Sequence, residues 1–125
     1  LLAMSLALAR ALASGAGEPL WRWLADGRPA RMPLPMVNMI SGGLHAGGNL
    51  DLQDFLFLPV QARSFSEALE MTCSVYRALS ETLRKHGHEG SLVGDEGGYG
   101  PRLGDSEQAL EMLVQASRQA GVEPA

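Results

Sequence analysis

The sequence predicts an α/β fold in which N-terminal helices precede strands and helices in the order β-β-α-β-α. Two short apolar runs indicate the first two strands, and two segments with helical periodicity indicate the later helices. A short apolar step between those helices indicates a third strand. This order is typical of an α/β sheet or of the opening of a barrel. With 125 residues, 46% of them apolar, the chain can bury a core.

The N-terminal segment is predicted to form two helices. Leucines and alanines recur every three or four positions over residues 2–13, and Gly15 stands where a left-handed C-cap would fall. We favour a packed helix over a targeting segment, because Arg10 interrupts the apolar run and the run is shorter than the roughly 20 residues that span a bilayer. Pro19 begins a second, short helix that ends at Asp26-Gly27.

Residues 28–35 predict a boundary between two structural units. They contain three prolines, which forbid a helix and favour an extended linker. After the linker, Met36–Ile40 and Phe55–Leu58 are apolar runs without clean alternation. Such runs suit strands that are buried on both faces, as in parallel or barrel sheets.

Capping residues mark the beginning of both later helices. Ser64 followed by Glu67 forms a capping box, and the apolar stripe behind it ends near Gly87. Asp105 with Gln108 is predicted to cap the last helix in the same way.

Two glycine-bracketed polar clusters are the candidates for chemistry. Ser41–Asn49 follows the first strand, and Asp95-Glu96 lies in the glycine-rich loop 94–101, after the third predicted strand at Leu92-Val93. Glycine lets a backbone approach a ligand closely, and ligands collect at the C-terminal ends of parallel strands. From spacing alone, a flexible turn for the first cluster and a solvated acidic turn for the second stay open as alternatives.

Composition and isolated motifs disfavour several other functions. A net charge of -4 without a basic run disfavours a nucleic-acid or anionic-membrane partner. The single cysteine, Cys73, suits a reducing compartment, with the cytoplasm as the default. Its position beside an apolar stripe predicts a core filler rather than a nucleophile. His86–Glu89 is predicted to be a solvated helix cap rather than a metal site.

Five motifs, in one order along almost the whole chain, resemble those of the enolase family. The family has a Pro-rich entry into a strand, then Asn-Gly-Gly-x-His-Ala, Gln-Glu-Phe, a Ser-Phe-capped helix and Gly-Asp-Glu-Gly-Gly-Phe-Ala-Pro. The corresponding segments here are Leu34–Met36, Ser41–Ala46, Gln53–Phe55, Ser64-Phe65 and Gly94–Pro101.

This resemblance implies an incomplete enolase-type (β/α)8 barrel. Residues 1–31 would end the N-terminal capping domain and its linker, and residues 32–125 would form the opening β-β-α-β-α part of the barrel. The implied activity is that of a lyase that interconverts 2-phosphoglycerate and phosphoenolpyruvate in glycolysis. The implied partners are a small phosphorylated 2-hydroxy acid and, in the full-length protein, a second copy in a homodimer.

The resemblance also assigns roles to four residues. In the family reaction a lysine removes the proton α to the carboxylate, two magnesium ions hold the enediolate, and a glutamate helps the hydroxide to leave as a general acid. Glu96 matches that glutamate. His45 matches a histidine that contacts the substrate and the mobile loops, Gln53 a glutamine that lines the substrate pocket, and Asp54 is the third predicted substrate-binding residue. We expect the magnesium ligands, the lysine and a phosphate-binding arginine to lie beyond Ala125.

Three departures from the family pattern leave alternatives open. Asp54 stands where the family has glutamate, Ser41 replaces asparagine, and Tyr99-Gly100 replaces Phe-Ala. A relative that acts on a phosphonate analogue is one alternative, and a non-catalytic binding or structural protein is another. The 125 residues alone are expected to be inactive, to bind magnesium weakly and not to fold as a compact monomer, because three strands cannot close a barrel.

Overall fold

A computed structural model describes residues 1–48 and 50–124 of the chain. It divides the chain into two compact units, Leu1–Met32 and Pro33–Ala125. All the predicted catalytic and substrate-binding residues lie in the second unit.

The first unit contains helix α1, Leu2–Gly15, and helix α2, Leu20–Ala25. The predicted C-cap at Gly15 is wrong by two residues, because α1 continues through Gly15 and the left-handed residue is Gly17. The predicted end of α2 is confirmed, since Asp26 adopts a left-handed conformation there. Among the described residues of α1 only Ala13 is buried, so the apolar stripe predicted for this helix is largely exposed within its unit.

Neither of these helices is long enough to span a bilayer. Throughout residues 1–48 and 50–124, no helix combines the length and the apolar character that a membrane span requires.

The second unit begins with an antiparallel pair of strands. Strand β1, Val37–Ser41, pairs with β2, Asp54–Phe57, so that Ser41 lies opposite Asp54 and the register is irregular between Asn38 and Ile40. Met39 and Ile40 are fully buried, as the continuous apolar run predicts. Strand β2 alternates instead, with Phe55 and Phe57 buried and Leu56 exposed.

The predicted third strand at Leu92-Val93 is wrong. Both residues are exposed, and Val93 makes only a single antiparallel bridge, to Tyr99. The residue that lies parallel to β1 is Tyr99, inside the segment predicted as a loop. Its N–H donates to the Met39 carbonyl at 2.9 Å, and the Ser41 N–H donates to the Tyr99 carbonyl at 2.8 Å. Backbone pairing with an existing strand therefore overrides the local preference of a glycine-rich sequence for irregular structure.

Helix α3, Phe65–Lys85, begins at the predicted capping box. The Ser64 hydroxyl accepts the Glu67 N–H at 3.1 Å, and the Glu67 carboxylate accepts the N–H of Arg63, one residue earlier than the usual reciprocal bond, at 2.7 Å. Cys73 is exposed, so its prediction as a core filler is wrong. The buried face of the helix consists of Ala68, Thr72, Val75, Ala78, Leu79, Thr82 and Leu83, and Cys73 lies outside it.

Helix α4, Ser106–Gln119, packs against α3. Its predicted cap is confirmed, because the Asp105 carboxylate accepts the Gln108 N–H at 2.8 Å. The core of the unit lies between these two helices and the strand pair, and includes Leu79, Leu83 and Met112.

Candidate functional site

The acid loop, Gly94–Gly100, carries the predicted catalytic residue Glu96. Inside the loop the Gly94 N–H donates to the Gly98 carbonyl at 2.8 Å, and the Gly97 N–H donates to the Gly94 carbonyl at 3.0 Å. Gly97 has a φ of 84°, which favours glycine at this position. Glu96 lies at the tip of this turn and is exposed.

Strand β1 anchors one side of the acid loop. Besides the backbone bonds of Tyr99, the loop presses Gly98 against the side chains of β1. A Cβ atom on Gly98 would lie 2.7 Å from the Asn38 amide oxygen and 2.8 Å from the Ser41 hydroxyl. Glycine is therefore required at position 98 by a close approach to fixed neighbours rather than by backbone conformation.

Helix α3 anchors the other side through Tyr76. The Tyr76 hydroxyl donates to the Gly97 carbonyl at 2.6 Å, and its ring stacks on Tyr99 with centroids 4.3 Å apart. Burial, with a smaller contribution from Tyr99, raises the pKa of Tyr76 to about 12. The hydroxyl therefore stays protonated and remains a hydrogen-bond donor to the acid loop at neutral pH.

The histidine turn, residues 42–48, is held mainly by the chain that leads into β2. It contains a 3-10 helix over Gly43–Ala46. The Gly42 N–H donates to the Gln53 carbonyl at 2.6 Å, and a Cβ atom on Gly42 would lie 2.1 Å from the Leu52 carbonyl oxygen. The backbone of His45 belongs to the 3-10 helix, whereas its side chain lies outside what the structure describes.

The predicted substrate residues Gln53 and Asp54 lie where β2 begins. Gln53 is exposed and Asp54 is half-buried. The Asp54 carboxylate accepts a hydrogen bond from the Asn38 amide nitrogen at 2.6 Å, and the same nitrogen donates to the Ser41 hydroxyl at 3.1 Å. Asn38 therefore connects Asp54 to Ser41, two of the positions where the sequence departs from the family pattern.

A cleft of about 730 Å³ lies between β1, α3 and the acid loop. Asn38 and Glu96 both line it, together with Tyr76 of α3. The acid loop also meets the histidine turn, since a Cβ atom on Gly100 would lie 3.7 Å from the Ala46 Cβ. These contacts connect the surface of the cleft to the histidine turn and, through Asn38, to Asp54 at the start of β2.

Sequence reasoning missed two residues of this surface, Asn38 and Tyr76. Asn38 gave a usable signal, because a polar residue inside an apolar strand run must find hydrogen-bond partners when it is buried. Tyr76 gave none, since its position on an apolar helical stripe is equally typical of core packing.

The described residues do not fit a magnesium site. Among the side chains that the structure describes, which do not include that of His45, no group of three or more histidine, cysteine, aspartate or glutamate residues could hold a metal ion. Hard divalent ions need several oxygen ligands in one place. The predicted helix cap at His86 rests on a separate contact, since its ring nitrogen lies 2.9 Å from the Thr82 carbonyl at the end of α3.

Comparisons with known proteins agree with the motifs. Residues 29–125 match the family described as "Enolase, C-terminal TIM barrel domain". The whole chain is 46% identical to the enolase of Mycoplasmopsis synoviae (strain 53) and 42% identical to that of Mesomycoplasma hyorhinis (strain HUB-1). It spans 27% and 28% of the lengths of these two relatives. The family match confirms the predicted fold class, the opening part of an α/β barrel of this type.

Proposed function

Because the chain belongs to the enolase family through its C-terminal TIM barrel domain, we propose that the full-length protein dehydrates 2-phosphoglycerate to phosphoenolpyruvate in glycolysis. The observation that carries this proposal is the acid loop, which holds Glu96 at the rim of the cleft lined by Asn38. Tyr76 and β1 fix this loop from two sides. A general acid must meet its leaving group in a set geometry, and such anchoring supplies that geometry.

In the proposed reaction Glu96 donates a proton to the departing hydroxide of the substrate. Hydroxide is a poor leaving group, and protonation converts it into water as the carbon–oxygen bond breaks. The carboxyl group of Glu96 is free to face substrate because its side chain is exposed at the tip of the turn. The base that removes the α proton is expected outside the chain, and no residue of the cleft is proposed for that role.

We propose that Gln53, Asp54 and His45 bind the substrate. Gln53 and Asp54 are adjacent where β2 begins. The Gly42 N–H, at the start of the histidine turn, donates to the Gln53 carbonyl. An amide, a carboxylate and an imidazole together offer donors and acceptors for the hydroxyl and carboxylate groups of a phosphorylated 2-hydroxy acid. We propose magnesium as the cofactor from the family alone, and we expect its ligands outside the chain. The homodimer and the cytoplasmic location are likewise proposed from the family alone.

The direct test is turnover of 2-phosphoglycerate by the full-length protein, followed by the ultraviolet absorbance of phosphoenolpyruvate. We expect turnover that depends on added magnesium. A folded full-length protein without turnover on this substrate would contradict the proposal and would favour a non-catalytic binding or structural role.

A relative that acts on a phosphonate analogue is the second candidate, and Asp54 is the observation that favours it. The carboxylate of Asp54 reaches one methylene less far than the glutamate typical of the family. Under the main proposal, Asp54→Glu restores that reach and raises turnover on 2-phosphoglycerate. Under the alternative, the same substitution lowers activity on the phosphonate substrate, because the longer side chain would disturb a pocket specialised for that substrate.

A further inference from the structure

Two departures from the family pattern, Ser41 and Asp54, are partners in the structure. They lie opposite each other in the β1–β2 register, and both accept a hydrogen bond from the amide nitrogen of Asn38. The nitrogen of an asparagine side chain carries two hydrogens, so these two bonds use its full donor capacity. The amide is thereby fixed in one orientation.

Neighbouring atoms restrict the Asn38 side chain on the side away from the cleft. Asn38 is 8% exposed and Ser41 is fully buried. On the side of the acid loop, the backbone of Gly98 lies so close that a methyl group there would strike the Asn38 oxygen at 2.7 Å. The Asn38 side chain therefore has little freedom to rotate, and the carboxylate that it binds is held in turn.

We propose that Asn38 is a positioning residue that fixes the orientation of the Asp54 carboxylate, with Ser41 and Gly98 holding its amide. This inference rests on the proposed function, because Asp54 is there a substrate-binding residue. The 2.6 Å bond from Asn38 to Asp54 joins a neutral donor to a carboxylate. Hydrogen bonds to charged groups are the stronger class, so this contact can select one carboxylate orientation over others.

A double-mutant cycle in the full-length protein tests whether Asn38 acts through Asp54. Asn38→Ala is expected to lower kcat/KM on 2-phosphoglycerate by about 10-fold to 100-fold, as lost orientation does in active sites. In an Asp54→Ala background the same change is expected to cost less than about twofold, since the group that it positions is gone. Ser117→Ala is the matched control, because the buried Ser117 hydroxyl donates to the Leu113 carbonyl within α4. It should leave kcat/KM unchanged in both backgrounds.

A second variant, Asn38→Asp, separates positioning from packing by its pH profile. When protonated, the new carboxyl group at position 38 could still donate to Asp54, whereas its charged form would repel that carboxylate. The kcat/KM of this variant is therefore expected to recover relative to Asn38→Ala as the pH falls, and to decline as the pH rises. A change that merely disturbed packing would show no such difference between the two variants.

The outcomes separate this inference from the proposed function. Full-length wild type without turnover would overturn both. Normal wild-type turnover with additive effects of Asn38→Ala and Asp54→Ala would overturn the positioning role alone, as would equal pH profiles for Asn38→Asp and Asn38→Ala. Non-additive effects together with recovery of Asn38→Asp at low pH would support it.

Discussion

The acid loop and the histidine turn are both rich in glycine but are held in different ways. The histidine turn is held by contacts with Leu50, Leu52 and Gln53, which follow it closely along the chain. The acid loop is held by residues that are distant in sequence, namely β1 on one side and Tyr76 of α3 on the other. Local contacts therefore shape the turn that bears His45, while tertiary contacts shape the loop that bears Glu96.

This difference has a consequence for mutations outside the site. A change in α3 or β1 should disturb the acid loop and its acid–base chemistry. The same change should leave the histidine turn largely intact, because that turn depends on the approach to β2. We expect each of the following effects in the full-length protein.

The largest effect is expected at the tip of the acid loop. Glu96→Gln keeps the shape of the side chain but removes the transferable proton, so kcat should fall by about 100-fold or more. KM for 2-phosphoglycerate should change little, since the amide can still occupy the same space. Steady-state kinetics measure both constants, and a kcat near that of wild type would remove Glu96 from the general-acid role.

Gly98→Ala should loosen the anchor on β1. Its methyl group would meet Asn38 and Ser41 at distances below 3.0 Å, and overpacking of this kind costs about 1–3 kcal/mol in the free energy of unfolding. Gly100→Ala is the matched control in the same loop, because among the described atoms its methyl group would meet only the Ala46 Cβ, at an ordinary 3.7 Å. Urea unfolding should separate the two variants, and equal stabilities would argue against the close approach at Gly98.

Tyr76→Phe should loosen the anchor on α3. It removes the 2.6 Å bond to Gly97 and keeps a ring to stack on Tyr99. One neutral hydrogen bond contributes about 0.5–1.5 kcal/mol, so kcat should fall by about twofold to tenfold if this bond aligns Glu96. Ser80→Ala is the control, because the Ser80 hydroxyl makes a bond of the same length, 2.6 Å, from α3 to the Gly90 carbonyl. A drop in kcat of equal size for both variants would contradict a specific link between Tyr76 and the acid loop.

The smallest expected effect is a dependence of the free energy of unfolding on pH. The pKa of Tyr76 is raised to about 12 in the folded protein, against about 10 in an unfolded chain. Its contribution to stability is therefore fully present below about pH 10 and is lost as the pH rises toward about 12. Urea unfolding between neutral pH and about pH 11 should show wild type losing stability more steeply than Tyr76→Phe. Parallel curves would mean that the pKa of the Tyr76 hydroxyl does not differ between the folded and unfolded protein.

The same contrast explains which parts could be predicted from sequence. The caps at Ser64 and Asp105 depend on residues three positions apart, so the pattern identifies them, and both are confirmed. The extended conformation of Tyr99 depends instead on pairing with a strand about 60 residues earlier in the chain. Because no local pattern reports such a pairing, the sequence predicts a loop for its segment. The prediction for Cys73 is wrong because this residue lies at the edge of the apolar stripe, where sequence spacing alone does not separate buried from exposed positions.

The site follows the same division. The motif residues Glu96, Gln53 and Asp54 could be selected from their resemblance to a family, and their roles stay predictions. Asn38 could not be selected in this way, because its importance arises from a hydrogen bond to a residue 16 positions away. Such a contact becomes visible only when the register of β1 and β2 is known.

The most direct test of the role of Glu96 follows two events in Glu96→Gln, using full-length protein, 2-phosphoglycerate and deuterated water. Removal of the α proton is assigned to a base outside the acid loop, whereas loss of hydroxide is assigned to Glu96. We predict that exchange of the α proton with solvent continues while formation of phosphoenolpyruvate falls by about 100-fold or more. Loss of exchange and dehydration by the same factor would contradict it, and so would dehydration at the wild-type rate.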